Sequence, residues 1–142
     1  MRVPYLLSVF PAVLSIVLPV AAETTFYVSP RGNDAWSGGL AERNAAGTDG
    51  PLATLAGARD RVRRHKAGGA PAEPIQVLFR SGVYRQSEAV FFEPADSGSP
   101  QRPITYAAYP GERPVLSGGC EVTGWRRETG DRFSASVSAA AN

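Results

Sequence analysis

The chain has 142 residues, with 15 basic against 13 acidic side chains and a formal net charge of +2. That length accommodates one domain at most, and the near balance of charge argues against nucleic acid or an anionic membrane as partner. A single cysteine, Cys120, excludes any disulfide within the chain, so stability must come from core burial.

Residues 1–22 start with Met1 and Arg2, continue as an apolar run to Val20, and end in Ala21 and Ala22. A basic start, an apolar middle and small residues at a cut site make a signal peptide, with cleavage expected between Ala22 and Glu23. The alternative is a membrane-spanning helix. The run is only just long enough for that, and Pro4, Pro11 and Pro19 interrupt it. The sequence therefore predicts an exported protein, secreted or periplasmic, with no membrane attachment once the leader is removed.

Residues 23–74 form the next unit. The stretch TTFYVS at 24–29 is β-branched and aromatic and predicts a strand. Turn residues at 30–34 end it, and residues 35–51 read as a long polar loop. Thr54 is placed to cap a helix over about 55–65. Leu55, Ala58 and Val62 fall on one apolar stripe of that helix. Arg59, Arg61, Arg63, Arg64 and Lys66 lie mainly on other faces and toward its C-terminal end, where the dipole favours positive charge. Gly68 and Gly69 end it, and residues up to Pro74 read as a linker.

Residues 75–127 read as short strands and turns. IQVLF at 75–79 is the clearest strand. Further strands are expected at 83–84, 89–92, 104–107, 115–116 and 121–125. Starts at Ile75, Ala89, Ile104 and Val115 are nearly evenly spaced, which fits a sandwich, a barrel or a coiled solenoid. Residues 128–142 read as a small, polar, low-complexity tail with little to bury.

Four pieces in order resemble the exported right-handed parallel β-helix (pectin-lyase-like) proteins of the carbohydrate-active type. They are FYVSPRGNDAWSG at 26–38, DGPLATLAGARDRVRR at 49–64, IQVLFRSGVYR at 75–85 and DSGSPQRPITYAAYPGERPVLSGGCEVTGW at 96–125. The resemblance covers nearly all of the chain after the leader and is specific for fold, not for activity. It implies a mostly β protein, with one cap helix and then the first coils of the β-helix. The helix would cover the open end, since an uncapped coil exposes apolar faces and strand edges. Gly82 would allow the turn between coil sides. Val77, Phe79, Val90 and Phe92 would stack inward with Ile104 and Val115.

Members of that family include glycoside hydrolases and polysaccharide lyases, with catalytic residues on later coils. The resemblance thus implies a truncated, N-terminal fragment, monomeric in its full-length form and contacting polysaccharide or oligosaccharide through coils not present here. The alternative is a non-catalytic exported module for adhesion or glycan binding. The isolated fragment is expected to be marginally stable.

No residue is put forward as catalytic, cofactor-binding or metal-binding, and no cofactor is implied. Glycoside hydrolysis needs two carboxyl groups across the sugar bond. Nothing in the spacing pairs Asp34, Asp49, Asp60, Glu88, Glu93, Asp96, Glu112 or Glu121. Asp34 and Asp96 read as turn residues, and Asp60 as the helix-surface partner of Arg64. Arg80, Arg85 and Arg102, which could hold an acidic sugar, read as solvated loop residues. The loops at 33–34 and 48–49 lack the spacing of a calcium site. His65, the sole histidine, lacks a partner constellation. Cys120 reads as a packed small residue, and Trp36 and Trp125 as buried at the cap.

Overall fold

A computed structural model describes residues 23–69 and 73–137. The leader assigned to residues 1–22 lies outside the described residues. Strand β1 (Thr24–Val28) is followed by a long loop and helix α1 (Leu55–Ala67). Strands β2 (Ile75–Phe79) and β3 (Gly82–Arg85) come next, then a 3-10 turn at Pro94–Asp96. Strands β4 (Ile104–Ala108), β5 (Pro114–Ser117), β6 (Arg126–Arg127) and β7 (Phe133–Ser134) complete the chain.

The strands pair mostly in parallel. One sheet has the order β1-β2-β4, with Thr24 opposite Ile75 and Ile75 opposite Ile104. A second pairs β3 with β5, Gly82 opposite Pro114. The short β6 and β7 pair antiparallel, and β7 lies inside the stretch 128–142 read as a low-complexity tail. Parallel neighbours need a crossover, and here each crossover brings the chain back in unshifted register. Strand, corner and strand (β2 to β3) lie beneath strand, corner and strand (β4 to β5). No closed barrel forms among the described residues.

The core follows from the alternation of side chains along a strand. In β2, Ile75, Val77 and Phe79 point inward, and Phe26 and Val28 do the same in β1. Ala58 and Val62 of α1 close over them, with Leu55 packed at the margin. Leu52, fully buried, makes a parallel bridge to Val28. Its N–H donates to Tyr27 O at 2.8 Å and its carbonyl accepts from Ser29 N at 2.8 Å. Loop backbone thus covers the outer edge of β1 and helix α1 covers the end of the core. Thr54 caps α1 as expected, its hydroxyl accepting from Gly57 N at 2.8 Å.

Several expected elements differ. Residues 89–92 are not a strand; α1 instead bonds the carbonyl of Phe91 and two carbonyls just beyond it. Arg59 Nη1 donates to Phe91 O at 2.9 Å, and Lys66 Nζ donates to Ala95 O and Ser97 O at 2.5 and 2.8 Å. The carbonyls bond to cationic side chains, and no ladder is built. Phe92 is consequently exposed, resting edge-on against Tyr106 with ring centroids 5.4 Å apart. Val115 also faces outward from β5, not into the core. Residues 121–125 form no strand, and pairing begins only at Arg126.

Candidate functional site

The parallel register gathers the C-terminal ends of β1, β2 and β4 at one corner. Pro30 and Arg31 follow β1; Arg80, Ser81 and Gly82 lie between β2 and β3; Glu112 lies between β4 and β5. The loop carrying Ala41, Glu42 and Arg43 folds across the same corner. Together they line a half-open cleft of about 650 Å³, within the range of small-ligand sites.

Arg80 organises it. Its Nε donates to Glu112 Oε1 at 2.8 Å and its Nη1 donates to Ala41 O at 3.0 Å. Glu42 Oε1 stands 3.5 Å from Nη1, and the guanidinium lies over the Tyr109 ring, 4.7 Å from its centroid. Ser81 N donates to the other Glu112 oxygen. That backbone bond, reinforced by Arg80, holds the Glu112 carboxyl below its ordinary value, and the side-chain bond to Glu112 raises Arg80. Gly82 has φ +140, and a Cβ there would meet Pro30 Cγ at 2.5 Å, so the corner needs glycine. Beneath it, Tyr84 Oη donates to Val28 O and Arg80 O at 2.9 and 2.7 Å, and burial pushes its hydroxyl up to about 12.

A second polar cluster joins α1 to the 3-10 turn. Arg63 Nε and Nη2 donate to Asp96 Oδ1 and Oδ2 at 2.6 and 2.7 Å, and Nη2 also reaches Glu93 at 3.2 Å. Asp96 Oδ2 further accepts from Glu93 N at 2.8 Å. The Arg63 guanidinium, more than this backbone bond, holds the Asp96 carboxyl well below the usual carboxylate range. Asp49 is likewise held down, first by the backbone N–H of Ser37. A general acid working near neutrality needs its carboxyl raised. In these three the shift is opposite, the direction expected of carboxylates that anchor backbone N–H groups and guanidinium.

The remaining sequence candidates fall apart spatially. Asp34 is a cap support, not a simple turn residue: Oδ1 accepts from Ala53 N and Thr54 N, and Oδ2 from the Thr54 hydroxyl at 2.7 Å. Asp60 pairs with Arg59, not Arg64. Arg80 is built into the corner and is no solvated loop residue, whereas Arg85 forms an exposed pair with Glu121. Arg102 and Glu88 are exposed. His65 meets the edge of Phe26, centroids 5.7 Å apart. Cys120 is exposed and not packed. Trp36 is half-buried, while Trp125 is 60% exposed and not covered. Among the described residues, no group of His, Cys, Asp and Glu could hold a metal ion, and no helix is long and apolar enough to cross a membrane.

The Arg80–Glu112 pair was missed from sequence. The available signal was repetition. A turn follows each of two strands, RSG at 80–82 and PGER at 110–113, and parallel stacking superposes them.

A solved structure described as a glycoside hydrolase is similar to this chain, with 29% sequence identity and a TM-score of 0.61 over 75% of the chain. The match spans 17% of that protein's length. No protein-family model and no curated protein matches the chain.

Proposed function

We propose that this chain is the N-terminal section of an exported carbohydrate-active protein, with further coils stacking on β4 and β5 to make a right-handed parallel β-helix. The observation that carries the reading is register. Ile75 lies opposite Ile104 and Gly82 opposite Pro114, so two successive turns of chain superpose strand on strand and corner on corner. Parallel crossovers are right-handed almost without exception, and stacked units of this kind need neighbours to bury their faces. Support for sugar chemistry is the likeness to a glycoside hydrolase, of which the chain spans 17%.

In this reading residues 23–74 are the cap. Loop backbone at Leu52 covers β1, and α1 closes the core. The opposite end stays open for growth, because β4 is an edge strand among the described residues. Catalysis, as a glycoside hydrolase or a polysaccharide lyase, belongs to the following coils. The carboxyls at this end support that division, since Glu112 and Asp96 are fixed by arginines. Residues 1–22 serve as the export signal, giving a secreted or periplasmic protein.

The test is a polysaccharide degradation assay on this chain and on a polypeptide carrying the following coils. Cleavage by the longer polypeptide alone is expected. Turnover by the 142-residue chain itself, or none by either, sinks the proposal.

A further inference from the structure

The β6–β7 hairpin stands apart from the stacked strands. Each of its strands has two residues, and all four are exposed. Its hydrogen bonds close on themselves. Arg127 Nε donates to Gly130 O at 3.1 Å, Glu128 N to Arg132 O at 2.9 Å, and the Ser134 hydroxyl to Glu128 Oε1 at 2.7 Å. Trp125 and Phe133 are each 60% exposed, so neither anchors the hairpin in a core. Among the described residues, the last ion pair tying this stretch to the body is the exposed Arg85–Glu121 contact at 2.8 Å. An isolated two-stranded hairpin is marginal at best in water, so this one can open while the core stays folded.

The hairpin also presents adjacent arginines, Arg126 and Arg127, at a weakly held, exposed position of the kind where nicking concentrates. A protease takes its substrate as an extended strand, and the other basic positions resist that. The amide after Arg31 donates to Ser29 O, that after Arg43 to Asp49 O, and that after Arg85 to Ser117 O. The amide after Arg80 donates to Glu112. Arg59, Arg61, Arg63, Arg64 and Lys66 lie within α1. Arg102 and Arg113 precede Pro103 and Pro114. Proline has no N–H and a fixed φ, which makes the bond before it a poor substrate. Arg132 follows Asp131, whose charge opposes an acidic pocket built for guanidinium.

We propose that the hairpin is a processing site, recognised by an arginine-selective serine endoprotease that cuts after Arg126 or Arg127. The step is hydrolysis. One water adds across the peptide bond, the C–N bond breaks, and a carboxylate is left on the arginine and an amine on the next residue. The cut parts β1 to β5 from everything beyond the hairpin. It goes beyond the carbohydrate reading and does not depend on it.

The experiment is limited digestion of the full chain with trypsin, the products being weighed by mass spectrometry over time. The first cut beyond residue 23 should fall after Arg126 or Arg127, and the N-terminal product should accumulate as a resistant fragment. Replacing both residues, Arg126→Gln with Arg127→Gln, should slow that cut about tenfold or more, the worth of a charged hydrogen bond lost in the protease pocket. Arg132→Gln should leave its rate and position unchanged. All three side chains are exposed, so the variants should keep the parent Tm. A first cut at any other basic residue beyond 23, a fragment that fails to accumulate, or an unchanged rate in the double variant each overturns the site. None of these outcomes touches coil stacking, which is read at β4 by hydrogen exchange.

Discussion

Arg63 and Asp96 form a two-point ion pair, at 2.6 and 2.7 Å, that ties the cap helix to the chain entering β4. Asp96 is the one buried charged residue of the described chain, and its second oxygen also takes the Glu93 N–H. A buried carboxylate without its cation is strongly disfavoured. Arg63→Ala should therefore release residues 91–97 from α1. The expected result is faster amide exchange and proteolysis confined to that segment, with a lowered Tm. Arg64→Ala, one position along and exposed, should leave both unchanged.

Stability should depend on acid in a defined direction. Asp96, Asp49 and Glu112 all have folded values below their ordinary ones of 3.8, 3.8 and 4.5. A depressed value means the unfolded chain takes up the proton first. Their contribution is therefore complete above the ordinary carboxylate range and is lost as pH falls through the lower folded values. Thermal melts should be flat down to those ordinary values and decline below them. Asp96→Asn should flatten the acid limb.

Tyr84 ties β1 to the corner after β2, its hydroxyl directed at Val28 O and Arg80 O. Tyr84→Phe should cost about 0.5–1.5 kcal/mol in denaturant unfolding, the net worth of one donated bond shared between the two carbonyls. Burial also delays ionisation. Near-ultraviolet titration should show Tyr84 and Tyr106 ionising only near about 12.

Gly57 carries the Asp34 carboxylate on its bare backbone: a Cβ would stand 2.1 Å from Oδ1. Gly57→Ala should displace Asp34 from Ala53 and Thr54 and lower stability by about 1–3 kcal/mol, despite alanine's better helix propensity. Gly68→Ala is the control. Its φ of -76 is ordinary, and the nearest atom to a new Cβ is 3.6 Å away, so it should change stability by about 0.5 kcal/mol or less.

What sequence could disclose was local. The Thr54 cap, the Ala58 and Val62 stripe and the IQVLF strand each follow from periodicity over a few residues, and each is where it was expected. The open choice between sandwich, barrel and solenoid could not be closed by spacing, because spacing does not encode strand direction. Long-range polar bonds were illegible for the same reason. Residues 89–92 have strand composition, but Arg59, 32 positions earlier, bonds to their backbone. The helix arginines looked like a solvated face, and only the return of the chain past α1 gives Arg63 a partner.

The central claim is that the outer edge of β4 awaits another strand. Ile75 N donates to Pro103 O and Tyr109 N to Phe79 O. By the alternation of a parallel ladder, the N–H groups of Ile104, Tyr106 and Ala108 therefore point away from β2. Hydrogen exchange at these three amides should be measured in this chain and in a polypeptide carrying the following coils. The account predicts fast exchange here and strong protection in the longer polypeptide. Equally fast exchange in both would contradict it.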